Sequence, residues 1–84
     1  MRKLIIPFGV LLFSACNENE KKISVSEVPQ AVLSAFNAKY ANSSDVKWEQ
    51  EEEKGKLIYE ADFKFNGKEI EAEFDSAGNF LEEE

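Results

Sequence analysis

The chain lacks histidine altogether and has one cysteine, two prolines and four glycines among its 84 residues. The absence of histidine removes the base that usually activates a serine or cysteine nucleophile. A single cysteine cannot form a disulfide within the chain, and neither a zinc-ligand spacing nor a glycine-rich phosphate loop is present. We therefore expect a protein that is not an enzyme and that binds no cofactor.

Basic residues are also scarce, at ten against 17 acidic ones, which gives a formal charge of −7. If residues 1–15 are removed as an export signal, Arg2 and Lys3 are lost and the charge becomes −9. A surface this acidic repels nucleic acid and anionic lipid headgroups. The composition therefore excludes nucleic acid as a partner and favours a basic protein surface or a cation.

The first 15 residues have the order of a secretory signal. Arg2-Lys3 precede an apolar run, Leu4–Phe13, which is followed by the small residues Ser14-Ala15 and then by Cys16. The run is about half as long as the ~20 residues that a spanning helix needs. The pattern predicts export of the chain rather than a transmembrane helix.

The sequence at the end of this signal resembles the lipobox of bacterial lipoproteins: Leu12-Phe13-Ser14-Ala15-Cys16. The resemblance implies cleavage before Cys16 and lipid on the Cys16 thiol and amine. Residues 16–26 are then a lipidated polar tether, and the protein is anchored in the cell envelope, facing the periplasm or the cell exterior. The alternative is an ordinary secretory signal followed by a chance cysteine.

A helical pattern begins after this tether. Ser26 is placed to cap the N-terminus, and Asn42-Ser43-Ser44 supply turn residues at the other end. Apolar side chains recur between them at spacings of three and four, which places them on one face: Val28, Val32, Leu33, Phe36 and Tyr40.

After Ser44 the apolar period becomes two, which is typical of strands with one buried face. Asn66-Gly67 and Lys54-Gly55 have the composition of two-residue hairpin turns, and Ser76-Ala77-Gly78 fits a three-residue loop before a short strand at Phe80-Leu81. The sequence thus predicts an α+β domain over residues 27–84. One N-terminal helix packs on a four-stranded antiparallel meander sheet.

The two hairpin turns also predict the pairing of the strands. They place Phe63 opposite Ile70 and Trp48 opposite Ala61 on the apolar side of the sheet. On the other side they place three carboxylates abreast: Glu49, Glu60 and Glu73. This acidic row is interpreted either as a solvated face or as a site for a divalent cation or a basic partner.

Six aromatic residues of the strands are best explained as the core beneath the helix: Trp48, Tyr59, Phe63, Phe65, Phe74 and Phe80. So small a domain has few other side chains from which to build a core. Trp48 is the candidate exception, because an indole N–H needs a partner and often lies near an edge. We therefore treat Trp48 as a candidate partner contact.

The core and turn positions together resemble a PepSY-like domain of the beta-lactamase-inhibitor-like type. The residues that carry the resemblance are Val28-Pro29, Val32, Phe36, Tyr40, Val46-x-Trp48-Glu49, Tyr59-x-Ala61 and Phe74-Asp75-x-x-Gly78. They cover about residues 27–82. The resemblance implies a helix-plus-four-strand unit in the cell envelope that binds a protein and inhibits or modulates an envelope enzyme.

Two functions therefore remain open. The first is a lipid-anchored module that binds an unknown protein partner through the basic surface of that partner. The second is a cation-responsive structural lipoprotein that uses its acidic sheet face. The sequence leaves the choice between a monomer and a homodimer open.

Overall fold

The computed structural model of the chain describes residues 20–84. Their elements follow in the order β1 (Glu20–Ile23), a 3-10 turn (Val25–Glu27), α1 (Gln30–Lys39), β2 (Ser44–Glu53), β3 (Lys56–Phe65), β4 (Lys68–Asp75) and β5 (Phe80–Glu83). The strands form one antiparallel sheet in the order β1-β2-β3-β4-β5. Neither helical segment of this part of the chain has the length and apolar character needed to cross a membrane.

The predicted helix on an antiparallel sheet is confirmed, but the predicted strand count of four is wrong. The fifth strand is β1, which pairs with β2 from Glu20 opposite Glu51 to Ile23 opposite Trp48. It lies inside the segment interpreted as a tether. Its sequence has a single apolar residue, Ile23, so backbone pairing to the edge of β2 rather than apolar alternation makes it a strand.

The helix begins three residues later than the sequence indicated, since its N-cap is Pro29 rather than Ser26. Ser26 lies in the 3-10 turn instead of capping α1, and Pro29 occupies the N-cap position with φ −56° and ψ 145°. Proline disfavours helical geometry in the residue before it. Val28 accordingly has φ −87° and ψ 130°, so the helix can start only after the proline.

The core lies between α1 and one face of the sheet. Val28, Val32, Phe36 and Tyr40 recur at every fourth position and are all buried, which confirms the predicted helix face. Phe36 is central, and its ring centroid lies 5.0 Å from that of Phe63. Edge-to-face packing of this kind adds to the stabilisation from buried apolar area.

The predicted strand pairing is confirmed in the centre of the sheet. Phe63 lies opposite Ile70, and Trp48 lies opposite Ala61. Both two-residue turns have the positive φ angles that this hairpin geometry requires, with 53° at Asn66 in the turn between β3 and β4. These pairings determine which side chains share the face that α1 leaves uncovered.

Two local features were not apparent in the sequence. The register of β2 against β3 shifts between Ser44 and Lys47, and Val46, within this irregularity, is 36% exposed. Gly78, with φ +91°, packs so tightly on the helix that a Cβ atom there would lie 2.6 Å from the backbone oxygen of Ala31. The loop before β5 is thereby fitted against α1.

Candidate functional site

The candidate site is the face of the sheet opposite α1. One row of side chains crosses this face over all five strands. From β1 to β5 the register places in this row Lys22, Glu49, Glu60, Glu73 and Glu82. The predicted row of Glu49, Glu60 and Glu73 is therefore present as expected. The structure extends it by a lysine on β1 and a fourth glutamate on β5.

Glu60 occupies the centre of this row and is only 9% exposed, although no helix lies over this face in residues 20–84. Neighbouring side chains on β2 and β4 flank it because β3 is the middle strand. It is the one charged residue that is buried within the described part of the chain. Burying an ionised carboxylate without a counter-charge is costly, so Glu60 needs a proton or a cation.

Carboxylates from three strands converge on Glu60. Oxygens of Glu20, Glu51 and Glu60 lie within 4.8 Å of one another, and so do oxygens of Glu49, Glu60 and Asp62. We call these five residues the acidic cluster. Glu73 belongs to the row but to neither group, whereas Glu20 joins the cluster through β1.

Glu60 and Glu73, at the centre of this face, have raised pKa values. Burial is the main cause for Glu60, followed by its hydrogen bond with Asp62 and the charges around it, which together hold the pKa well above its ordinary value. Burial and the neighbouring Glu82 and Glu51 raise the pKa of Glu73 to about 7. These groups therefore hold protons at pH values where an ordinary glutamate has none.

Lys22 lies opposite Glu49 and Lys47 lies opposite Asp62, but neither lysine forms an ion pair with the cluster in the described residues. The ion pair formed within residues 20–84 joins Lys64 Nζ to Asp45 Oδ2 at 3.7 Å, outside the cluster and on exposed side chains. Two oxygens inside the cluster, Glu51 Oε1 and Asp62 Oδ1, are shielded from solvent and have no hydrogen-bond partner. Within the described residues, the cluster thus holds two shielded oxygens that accept no hydrogen bond.

The other predicted functional residues lie elsewhere. Trp48 is 5% exposed and packs edge-on against Phe36, with ring centroids 5.2 Å apart. So little exposed surface cannot contribute much to binding, and we leave Trp48 out of the proposed interface. Cys16 lies outside the described residues.

Sequence reasoning missed Glu20 as a site residue, because a polar segment without apolar alternation gave no sign of a strand. The signal that could have revealed it is the pairing of its neighbours. Ile23 opposite Trp48 continues the apolar side of the sheet, which places Glu20 on the acidic side. Comparison with family models, with curated proteins and with solved structures finds no match for this chain.

Proposed function

We propose that the chain is a lipid-anchored, PepSY-like binding module of the cell envelope, with the acidic face of its sheet as the binding surface. The observation that carries this proposal is the asymmetry of the sheet. One face is covered by α1 and forms the core, and the other presents a row of glutamates with a lysine only at its β1 end. Acidic residues outnumber the lysines Lys22, Lys47 and Lys64 on this uncovered face, and its net negative charge is complementary to a basic protein surface.

The anchor and the inhibitory role have different support. The anchor rests on the lipobox resemblance, and the role as an inhibitor or modulator of an envelope enzyme rests on the PepSY-like resemblance alone. The absence of histidine from the whole chain supports a binding role over catalysis.

The anchor is tested by Cys16→Ser in the full chain. We expect loss of acylation, measured by metabolic labelling with a fatty acid, and loss of the protein from the membrane fraction. An acylated, membrane-bound variant would exclude Cys16 as the lipid site. Ser14→Thr, which keeps a small polar residue before the cysteine, serves as the matched control and should remain acylated.

The binding face is tested by affinity capture from solubilised envelope with a chelator present. Glu49→Gln with Glu73→Gln removes two charges from the row and should release a captured basic protein. Asn37→Ala, on the exposed side of α1, is the control and should retain it. Retention by both variants would show that the acidic face is not the binding surface.

A second candidate function is favoured by the convergence of carboxylates on Glu60. It is the cation-responsive lipoprotein, in which a divalent ion rather than a protein neutralises the acidic face. Thermal melting with and without millimolar Ca²⁺ distinguishes the two candidates, because only the second predicts a large shift in Tm on addition of the ion.

A further inference from the structure

We propose that one corner of the sheet, formed by β1 and the Lys54-Gly55 turn, lies against the phospholipid surface and orients the domain on the membrane. This inference rests on the lipid anchor of the proposed function and goes beyond it, because it names the part of the fold that contacts the headgroups. We call this part the β1 corner. Its exposed lysines are Lys21, Lys22, Lys54 and Lys56.

The distance between the lipid and the sheet is the first argument. The lipid site Cys16 precedes the first residue of β1, Glu20, by four positions. A fully extended chain advances at most about 3.6 Å per residue, so Cys16 and Glu20 are no more than roughly 14 Å apart. A lipid on Cys16 therefore keeps the start of β1 close to the headgroups.

The opposite end of the sheet is not restrained by this tether in the same way. Glu20 lies at the level of Ile58 of β3, since both residues pair with Glu51. The Asn66-Gly67 turn follows Phe65, at the far end of β3. Ile58 and Phe65 are separated by seven steps of about 3.3 Å, and β1 is two strand spacings of about 4.8 Å from β3. The far turn is thus roughly 25 Å from Glu20.

The distribution of charge is the second and independent argument. The four lysines of the β1 corner are matched by four glutamates that lie beside them in the chain: Glu20, Glu51, Glu52 and Glu53. The rest of residues 20–84 carries twelve acidic residues against four lysines. An anionic membrane surface repels that remainder more strongly than it repels the corner. The domain therefore turns its acidic residues away from the headgroups.

The side chain of Leu57 gives the corner an apolar contact. It follows Lys56 at the start of β3 and is 41% exposed. Lysines beside it suit the headgroup boundary, because their apolar stems lie along the boundary while the ammonium groups stay in water. In this orientation the acidic row begins near the membrane with Lys22 and extends away from it to Glu82. A basic partner then reaches the row from the aqueous side.

The experiment uses the acylated full chain in nanodiscs of phosphatidylethanolamine and phosphatidylglycerol. Lys56→Cys and Lys68→Cys each supply one thiol for a fluorophore, because lipid occupies the Cys16 thiol. The two positions are matched, since each is exposed, follows the glycine of a two-residue turn and begins a strand. Both changes also remove one lysine. We expect headgroup-spin-labelled lipid to quench the fluorophore several-fold more strongly at residue 56 than at residue 68.

Mass spectrometry of the purified chain comes first, because it distinguishes two failures. A chain without acyl groups contradicts the anchor, and the orientation is refuted with it. An acylated chain with equal quenching at the two positions, or with stronger quenching at residue 68, overturns the β1 corner alone and leaves the anchor and the acidic face intact. Circular dichroism of both labelled variants shows that they are folded.

Discussion

Replacing Glu60 by Gln removes a charge from the middle of the sheet with almost no change in size. In the folded chain Glu60 lies opposite Glu49 on one side and Glu73 on the other. Its carboxyl is buried, so its pKa in the folded chain is above the ordinary value of 4.5. We expect Glu60→Gln to stabilise the domain at alkaline pH and to change little in acid.

The sign follows from proton linkage. Between pH 4.5 and its raised folded-state pKa, Glu60 holds a proton in the folded chain that it releases on unfolding. Its contribution to stability is therefore greatest in acid and falls as the pH rises through that window. Glutamine is neutral at every pH, so the variant does not lose the stability that the parent loses at residue 60 as the pH rises.

The magnitude comes from the two like-charged pairs. Opposed like charges in a sheet each cost about 0.2–1 kcal/mol, so removing both gives roughly 0.4–2 kcal/mol at alkaline pH. One kcal/mol moves the Tm of a domain of this size by about 4–8 °C. The expected gain is therefore roughly 2–15 °C at low salt, and it should shrink when salt screens the pairs.

The assay is thermal melting by circular dichroism in chelator, at about pH 5 and about pH 9, each in low and high salt. Glu69→Gln is the control and should show no gain, because it removes a charge that lies opposite Lys64. The reasoning is refuted by a gain of the same size at both pH values. It is equally refuted by a loss of stability at alkaline pH.

Three further predictions concern the core, the loop before β5 and the parent protein. Phe36→Ala should lower the free energy of unfolding by about 3–5 kcal/mol, which is most of the stability of so small a domain. Phe80→Ala should lower it much less, because the Phe80 side chain is 42% exposed. Urea unfolding of both variants measures the difference. Gly78→Ala should lower the Tm clearly, because the added Cβ atom would lie 2.6 Å from the helix backbone. Gly55→Ala should lower the Tm less, because no atom lies within 4 Å of a Cβ atom there and only the positive φ disfavours alanine. The Tm of the parent in chelator should fall between about pH 5 and pH 8. The reason is that the pKa of Glu73 is raised to about 7, so the folded chain loses that proton in this window. A Tm that rises across the same range would contradict the pKa assignment.

Local sequence patterns predicted the centre of this fold correctly. The spacing of Val32, Phe36 and Tyr40 predicted the buried helix face, and Asn66-Gly67 predicted the turn that sets β3 against β4. These features are encoded by neighbouring residues, because apolar periodicity and positive-φ turns depend on only a few positions each. The row of Glu49, Glu60 and Glu73 followed directly from that register.

The sequence by itself therefore determined the helix face, the hairpin registers and the sign of charge on the open face. Only the tertiary structure decided that β1 exists, that Trp48 is buried and that Glu20 approaches Glu60. The physical reason is that β1 has no amphipathic pattern and depends on backbone pairing with a strand more than twenty residues away. The acidic row is thus a consequence of local pattern, whereas the cluster around Glu60 is a product of long-range pairing.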